Sequence, residues 1–413
     1  MMALSSFIRS AGINAIEVNV ALIVKSKNNA ATLFDITNSD PVGNQVTWTD
    51  GVDFYVGDSV TFINWSDTSE KTVIAYCKDT SLITNAAQSW QNIEITFIDF
   101  SKLTDLSGTI NLNGNPLATL IDAPISNTVD EIQLQNSVIT TFNWKNYPKC
   151  NYLQMRFNTV CSTLDLGTGI DVDLNYLRFQ GTADVDLSSF TGIDTNCYLR
   201  HEGSGEFTAP TGIGTGTLDD LTIDVVSNTI IDLSVFTKFS GSCEFRVKNN
   251  ALVTSILFPT TTAGSGMLTI SNNDAVTSVD LSGISSIYNT LQVSTSLNLT
   301  SITLPTITVL SYTNYIFSSN DLNYFNMSVL SDMFAFNNVD VDLRNNNMDV
   351  ADVNHILVDL AAHVSGESAG GDYTGRTIRI QGSNDAPDGS SGGYDGDQAV
   401  IDLVAKSITV TTS

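Results

Sequence analysis

Three short segments carry residue types that could recognise a ligand: Tyr152, Gln154 and Arg156; Tyr176, Arg178 and Gln180; and Tyr198, Arg200 and Glu202. If each segment is a strand, these alternate positions share one face. Strands stacked about 4.8 Å apart would then align the three Tyr in one column and Gln154, Arg178 and Arg200 in another. Arg246 and Lys248 continue the face beyond a segment that holds Asp220 and Asp224. Aromatic rings offer flat contact and guanidinium groups offer paired donors, so the pattern suits an acidic or polar saccharide or a protein partner. Two Arg so close repel unless an acid or a ligand compensates. The other reading of the same residues is a covered sheet face, with Glu202 and Asp220 as ion-pair partners.

The residues that could do covalent or metal chemistry are few. Of the 3 His, His201 takes an inward strand position, whereas His355 and His363 lie on or near a C-terminal helix. No H-E-x-x-H, G-x-S-x-G or P-loop occurs. Asp-x-Asp pairs recur at Asp171/Asp173, Asp184/Asp186 and Asp340/Asp342, a type that can hold a hard cation or act as a glycosidase pair. They fall in a repeating frame, which favours solvated outward positions. The loop with Asp385, Asp388, Asp395 and Asp397 could take Ca²⁺, but it lacks the alternation of an EF-hand loop and reads first as a polar turn and helix cap. The 5 Cys (Cys77, Cys150, Cys161, Cys197 and Cys243) include no C-x-x-C and read as buried free thiols made in a reducing compartment. No enzyme is expected, and no cofactor beyond that candidate Ca²⁺.

Charge narrows the partners. The chain has 413 residues and a formal charge of −26, from 44 Asp+Glu against 18 Lys+Arg. Phosphate binding needs clustered Lys and Arg, so nucleic acid is not an expected partner. Residues 11–24 contain Glu17, Asn14 and Asn19, and no small-residue cleavage site follows, so no signal peptide is expected. No apolar run is long enough for a membrane helix.

The elements that must position the Tyr and Arg residues are legible as a repeat. An apolar-x-apolar phrase begins at Ile110, Ile132, Leu153, Leu177, Leu199, Leu221, Phe245, Leu268, Leu291, Tyr315, Val341 and Ile378. Successive differences are 22, 21, 24, 22, 22, 24, 23, 23, 24, 26 and 37, a spacing steady enough to predict a solenoid. A second apolar set follows in each unit, clearest in Val276/Val279/Leu281, Leu299/Ile302/Leu304 and Val253/Ile256/Phe258. No single coil can bury its apolar edge, so many must stack and both ends need caps. Asn136, Asn158, Asn249, Asn273, Asn320 and Asn346 follow the first strand, where side-chain amides can satisfy exposed backbone groups.

The units, best from Leu268 to Leu304, resemble leucine-rich repeats, with the resemblance covering about residues 105–385. A right-handed parallel β-helix is the alternative geometry with the same stacking logic. The phrases Leu343-Arg-Asn-Asn-Asn-Met348, Val353-Asn-His-Ile356-Leu357, Gly382-Ser-Asn-Asp-Ala-Pro387 and Ile408-Thr-Val-Thr-Thr412 resemble the C-terminal cap of leucine-rich-repeat-like proteins of bacteriophages and Bacteroidetes-type bacteria. The expected fold is therefore mainly β. It comprises an N-terminal β-rich domain (1–100), a right-handed leucine-rich-repeat-like or β-helix-like solenoid (101–347), and a small α/β cap (348–413). Within the first domain, strands are expected at 16–24, 46–48, 52–56, 60–64, 72–77 and 93–97. In the cap, a helix is expected from about 350 to 364 and another from about 397 to 406.

The resemblance implies a bacteriophage virion protein: a spike, fibre or capsid-surface component, made in the host cytoplasm and placed on the particle surface. Its partners would be other virion proteins and a host-surface glycan or protein met through the solenoid face, in a homo-oligomer for which a trimer is one option. A bacterial leucine-rich-repeat adhesin is the second reading. A polysaccharide depolymerase is the third, and the short, even coils leave it little room for a groove.

Overall fold

A computed structural model describes residues 19–412, except 29, 31, 64, 66, 167–172, 261–265, 286, 307–309, 330–333, 335–338 and 367–372. Ile16 and Val18 of the expected first strand, Asn64, Asp171 and part of the Gly/Ser loop at 365–375 lie outside the described residues. The chain is mainly β, 39% strand against 10% helix, and forms a parallel β-solenoid of about nine turns with its few helices near the C-terminus. It divides into two compact units, residues 1–172 with 178–183, and residues 173–177 with 184–413.

The first unit begins with antiparallel pairing. Asn19–Ser26 lies between Lys71–Cys77 and Ile95–Asp99. Lys71–Cys77 also pairs with Thr47–Thr49, which turns back into Phe54–Val56. Thr32–Asn38 and Ile83–Ala86, which the pattern of the sequence alone does not disclose, pair with each other, and Thr32–Asn38 also takes Ser59–Phe62. The alternating side chains converge on Phe34. Trp90 meets it edge-on at 5.1 Å, with Trp48 and Phe62 at 6.0 Å and Trp65 at 6.1 Å. Each buried indole satisfies its N–H: Trp48 to the Gly57 carbonyl at 2.9 Å, Trp65 to Asp50 at 2.9 Å and Trp90 to Asp35 at 2.7 Å. Parallel pairing follows, with Ser107–Asn111, Thr128–Gln133 and Tyr152–Met155 placing Ile110, Ile132 and Leu153 in one buried column.

The second unit is a run of parallel coils. Its long strands are Ile193–Glu202, Leu218–Asp224, Phe239–Lys248, Gly266–Ser271, Ile287–Ser294, Leu310–Ile316, Asp340–Asp342, Thr377–Arg379 and Thr409–Thr411, each paired with the next. The register aligns Leu199, Leu221, Phe245, Leu268, Leu291, Tyr315, Val341, Ile378 and Val410, the same inward frame that the spacing predicts. On the second side of the coils, Ile230–Asp232 pairs with Ser255–Leu257, and Ser278–Asp280 with Ser301–Thr303, in parallel.

The turns after six of these strands, from Leu218–Asp224 to Asp340–Asp342, are built from two adjacent positions with different duties. The first is left-handed, with φ between 54° and 64° at Val225, Asn249, Asn272, Thr295, Ser319 and Asn345. The second points inward and forms a buried ladder. Val226 N–H donates to Asn250 Oδ1 at 2.9 Å, Asn250 N–H to Asn273 Oδ1 at 3.2 Å and Asn273 N–H to Ser296 Oγ at 3.2 Å. Ser296 N–H donates to Asn320 Oδ1 at 3.0 Å, Asn320 N–H to Asn346 Oδ1 at 3.1 Å and Asn346 N–H to Asn384 Oδ1 at 2.9 Å. Leaving such a buried N–H unmade would cost about 1–3 kcal/mol per group. Of the expected Asn positions, Asn273, Asn320 and Asn346 belong to the ladder, while Asn136 and Asn249 take the left-handed position, with φ 60° and 61°.

The longest repeat interval, before Ile378, is explained by an insertion. Helix α1 (Val350–Gly366) sits between two consecutive long strands. Asp349 accepts the N–H of Asp352 at 2.9 Å as its cap, and Val353, Ile356, Leu357, Leu360 and Val364 are buried. Helix α2 (Gly396–Ala405) follows, capped by Asp395, which accepts the N–H of Gln398 at 2.9 Å.

Candidate functional site

The candidate residues fall in both units. In the first, Tyr152 and Gln154 lie half-buried in register with Glu131 and Gln133. The Arg156 guanidinium lies 4.2 Å from the centre of the half-exposed Phe157 ring. Arg178 is half-buried, and the Gln180 side chain accepts the N–H of Phe157 at 3.0 Å.

The second unit holds the connected part. Tyr176 and Tyr198 stack with ring centres 4.6 Å apart and planes 7° apart. That separation matches the spacing of neighbouring strands, about 4.8 Å, so the coil repeat itself brings the rings into contact. Arg200 lies 4.6 Å from the centre of the Tyr198 ring and forks onto Asp220, Nε to Oδ1 at 2.7 Å and a terminal nitrogen to Oδ2 at 2.6 Å. Asp220 is only 4% exposed and also accepts the Thr222 hydroxyl at 3.3 Å. Its hydrogen bonds and charge raise the Arg200 pKa above an already high value.

The charges alternate onward. Arg200 is 3.8 Å from Glu244, Glu244 is 2.5 Å from Arg246, and Lys248 is 3.0 Å from Asp224. Asn249 donates to Asp224 at 2.8 Å, and Asn272 donates to Asn249 at 2.8 Å. Three cations, Arg200, Arg246 and Lys248, therefore meet three carboxylates, Asp220, Glu244 and Asp224. In a chain with a charge of −26, this strip gathers three of the 18 Lys and Arg, each beside a carboxylate. For Arg200, the acid that compensates its charge is supplied by the protein itself, as Asp220. Asp220 was legible as a partner from its place in the repeat. Glu244 was not, because it reaches Arg200 only across two strand-to-strand steps, from Tyr198 to Asp220 and from Asp220 to Glu244.

The remaining chemistry-bearing residues are engaged elsewhere. His201 is fully buried, its Nε2 3.2 Å from the Gly205 carbonyl, and burial pushes its pKa down to about 4. All five Cys are buried free thiols; burial pushes Cys161 up to about 11 and raises Cys150, Cys197 and Cys243 further. Asp184 accepts the N–H of Glu206 at 2.8 Å and Asp186 that of Ser188 at 2.9 Å. Asp342 pairs with Arg344 at 2.7 Å, and Asp340 pairs with Arg379. In the acidic loop, Asp388 accepts the Ser391 hydroxyl at 2.5 Å and the N–H groups of Ser391 and Ser390 at 2.7 and 3.0 Å, which hold its carboxyl well below the usual range, and Asp395 caps α2. Among the described residues no group of three or more His, Cys, Asp or Glu could hold a metal ion, and no helix is long and apolar enough to cross a membrane.

Compared with protein-family models, curated proteins and solved structures, the chain finds no match.

Proposed function

We propose that this chain is a non-enzymatic structural protein of a bacteriophage particle, displayed on its surface, that contributes to recognition of the host surface through the outward strip of its coils. The observation that carries the reading is the Tyr176–Tyr198–Arg200–Asp220 arrangement and its continuation to Glu244, Arg246, Asp224 and Lys248. Aromatic and planar polar groups are already held in place there by one another, so a ligand would lose little by ordering them. The strip also gathers Arg200, Arg246 and Lys248 on a molecule whose acidic remainder would repel an anionic cell surface. The resemblance of the terminal segment to phage leucine-rich-repeat-like caps supplies the setting. Other virion proteins are the proposed neighbours, a trimer is one assembly that would suit the role, and Ca²⁺ is not part of it.

The test is binding of the fluorescently labelled protein to cells of candidate hosts, with the wild type compared to Arg178→Ala/Arg200→Ala and to Tyr176→Ala. Saturable binding that both variants weaken at least about tenfold is expected, in line with loss of a central aromatic or Arg anchor. Undiminished binding by variants that melt like the wild type would sink the recognition role of this strip.

A further inference from the structure

The two C-terminal helices enclose a cleft of about 380 Å³ that the strip does not use. Its floor is apolar and made of small groups: Val358, Ala361 and Ala362 from α1 and Ala399 from α2. Such a floor lets another helix approach closely. Beyond it, α2 exposes Ile401 and Val404, at 60% and 53%.

One wall is preformed. Tyr394 stacks on His355 at 3.8 Å, and His355 stacks on Tyr324 at 3.6 Å with planes 2° apart. The Tyr324 hydroxyl donates to Asp359 at 2.7 Å. Buried Asn354 of α1 fixes the loop that carries Tyr394, donating to Asp388 at 2.7 Å, to the Ser391 carbonyl at 3.2 Å and to the Tyr394 carbonyl at 3.0 Å. Gly396 is needed at this junction, because a Cβ there would come within 2.0 Å of Asn354 Oδ1.

The mouth is acidic. Asp395 and Asp402 line it, and Asp397 stands in the first turn of α2. A second copy docked cleft to cleft would set Asp395 and Asp402 against their own counterparts, which disfavours it at this site. We propose that the cleft between α1 and α2 is a docking groove for a basic amphipathic helix of a partner protein, its apolar side chains on the alanine floor and against Tyr394, and its Lys or Arg residues over Asp395 and Asp402. Helix-in-groove recognition of this kind needs only a preformed apolar trough and a complementary rim.

The probe is a fluorescent amphipathic peptide of Leu and Lys, about 18 residues long to give five helical turns. It is titrated into the full-length protein at about 0.15 M salt, where long-range attraction is largely screened. A Leu/Glu peptide of the same pattern is the control. Saturable binding of the Leu/Lys peptide is expected, reduced at least about tenfold by Ala362→Phe, which fills the trough, and about threefold by Asp402→Asn. Ala362 and Asp402 are both exposed, so the variants should melt like the wild type. Should Ala362→Phe melt early, Gln398→Trp blocks the mouth from another exposed position. Four outcomes would overturn the proposal: no binding, affinity unaffected by the blocking variant, equal binding of the Leu/Glu peptide, or a peptide-free dimer that the blocking variant dissociates.

Discussion

The antiparallel start of the first unit and the coils of the second solve the same burial problem differently. In the former, four large rings, Trp48, Phe62, Trp65 and Trp90, gather around Phe34. In the latter no residue is central. Each coil buries one inward phrase and one rung of the Asn/Ser ladder, and contacts little beyond its neighbours. A hub concentrates stability in few side chains, whereas a stack distributes it along the chain.

The sharpest test of that contrast is Trp48→Ala. Removing a fully buried indole from the hub should cost about 3–5 kcal/mol. All 4 Trp (Trp48, Trp65, Trp90 and Trp144) belong to the first unit, so urea melting followed by Trp fluorescence reports that unit alone. A loss below about 1 kcal/mol would show that the rings are not a hub.

Next in size is an acid sensitivity built into one coil. His201 is held neutral, with its folded pKa down at about 4. The unfolded chain takes up that proton near pH 6.5, so the contribution is complete above that pH. It declines as pH falls and is exhausted once pH passes below about 4. The whole effect is on the order of 3 kcal/mol. His201→Leu should flatten the fall in urea midpoint over this window, read from far-UV circular dichroism. An unchanged slope would assign the acid response to other groups.

A rung of the ladder should matter less than the hub. Asn273→Ala strands the Asn250 N–H and the Val247 carbonyl, which Asn273 meets at 3.2 and 3.0 Å. A loss of about 2 kcal/mol is expected, and a neutral result would mean that water takes over the rung. The smallest effect has the opposite sign. Val225 occupies the left-handed position with φ 64°, where a β-branched residue is strained. Val225→Asn, matching Asn249 and Asn272 in the same place, should stabilise by about 1 kcal/mol in the same denaturant assay.

The repeat was legible in the sequence because it depends only on a period. Ile110, Ile132 and Leu153, and then Leu199 through Ile378, pair in the frame their spacing predicts. Of the three Tyr expected in one column, Tyr176 and Tyr198, 22 residues apart, stack, and Tyr152 lies in the other unit. What escaped notice depends on register within a coil. The strand pairing shifts between Leu218 and Asp220, and this irregularity sets Glu244 opposite Asp220 and so within 3.8 Å of Arg200. The Tyr324–His355–Tyr394 stack escaped too, because it joins three segments outside the period. In the antiparallel region, Thr32–Asn38 and Ile83–Ala86 meet across four intervening strands, and no local phrase records that pairing.

The Asn/Ser ladder has a mechanical consequence. Tension applied at the C-terminus along the stack would load the coils of the second unit in series, each held to the next by its own strand pairing and one or two rungs. Such an array yields by peeling one coil at a time rather than by a single rupture. With about 23 residues per coil, each release would lengthen the tether by about 80 Å. A pulling trace should therefore show a sawtooth of that step, which would make the chain a shock absorber as well as a surface.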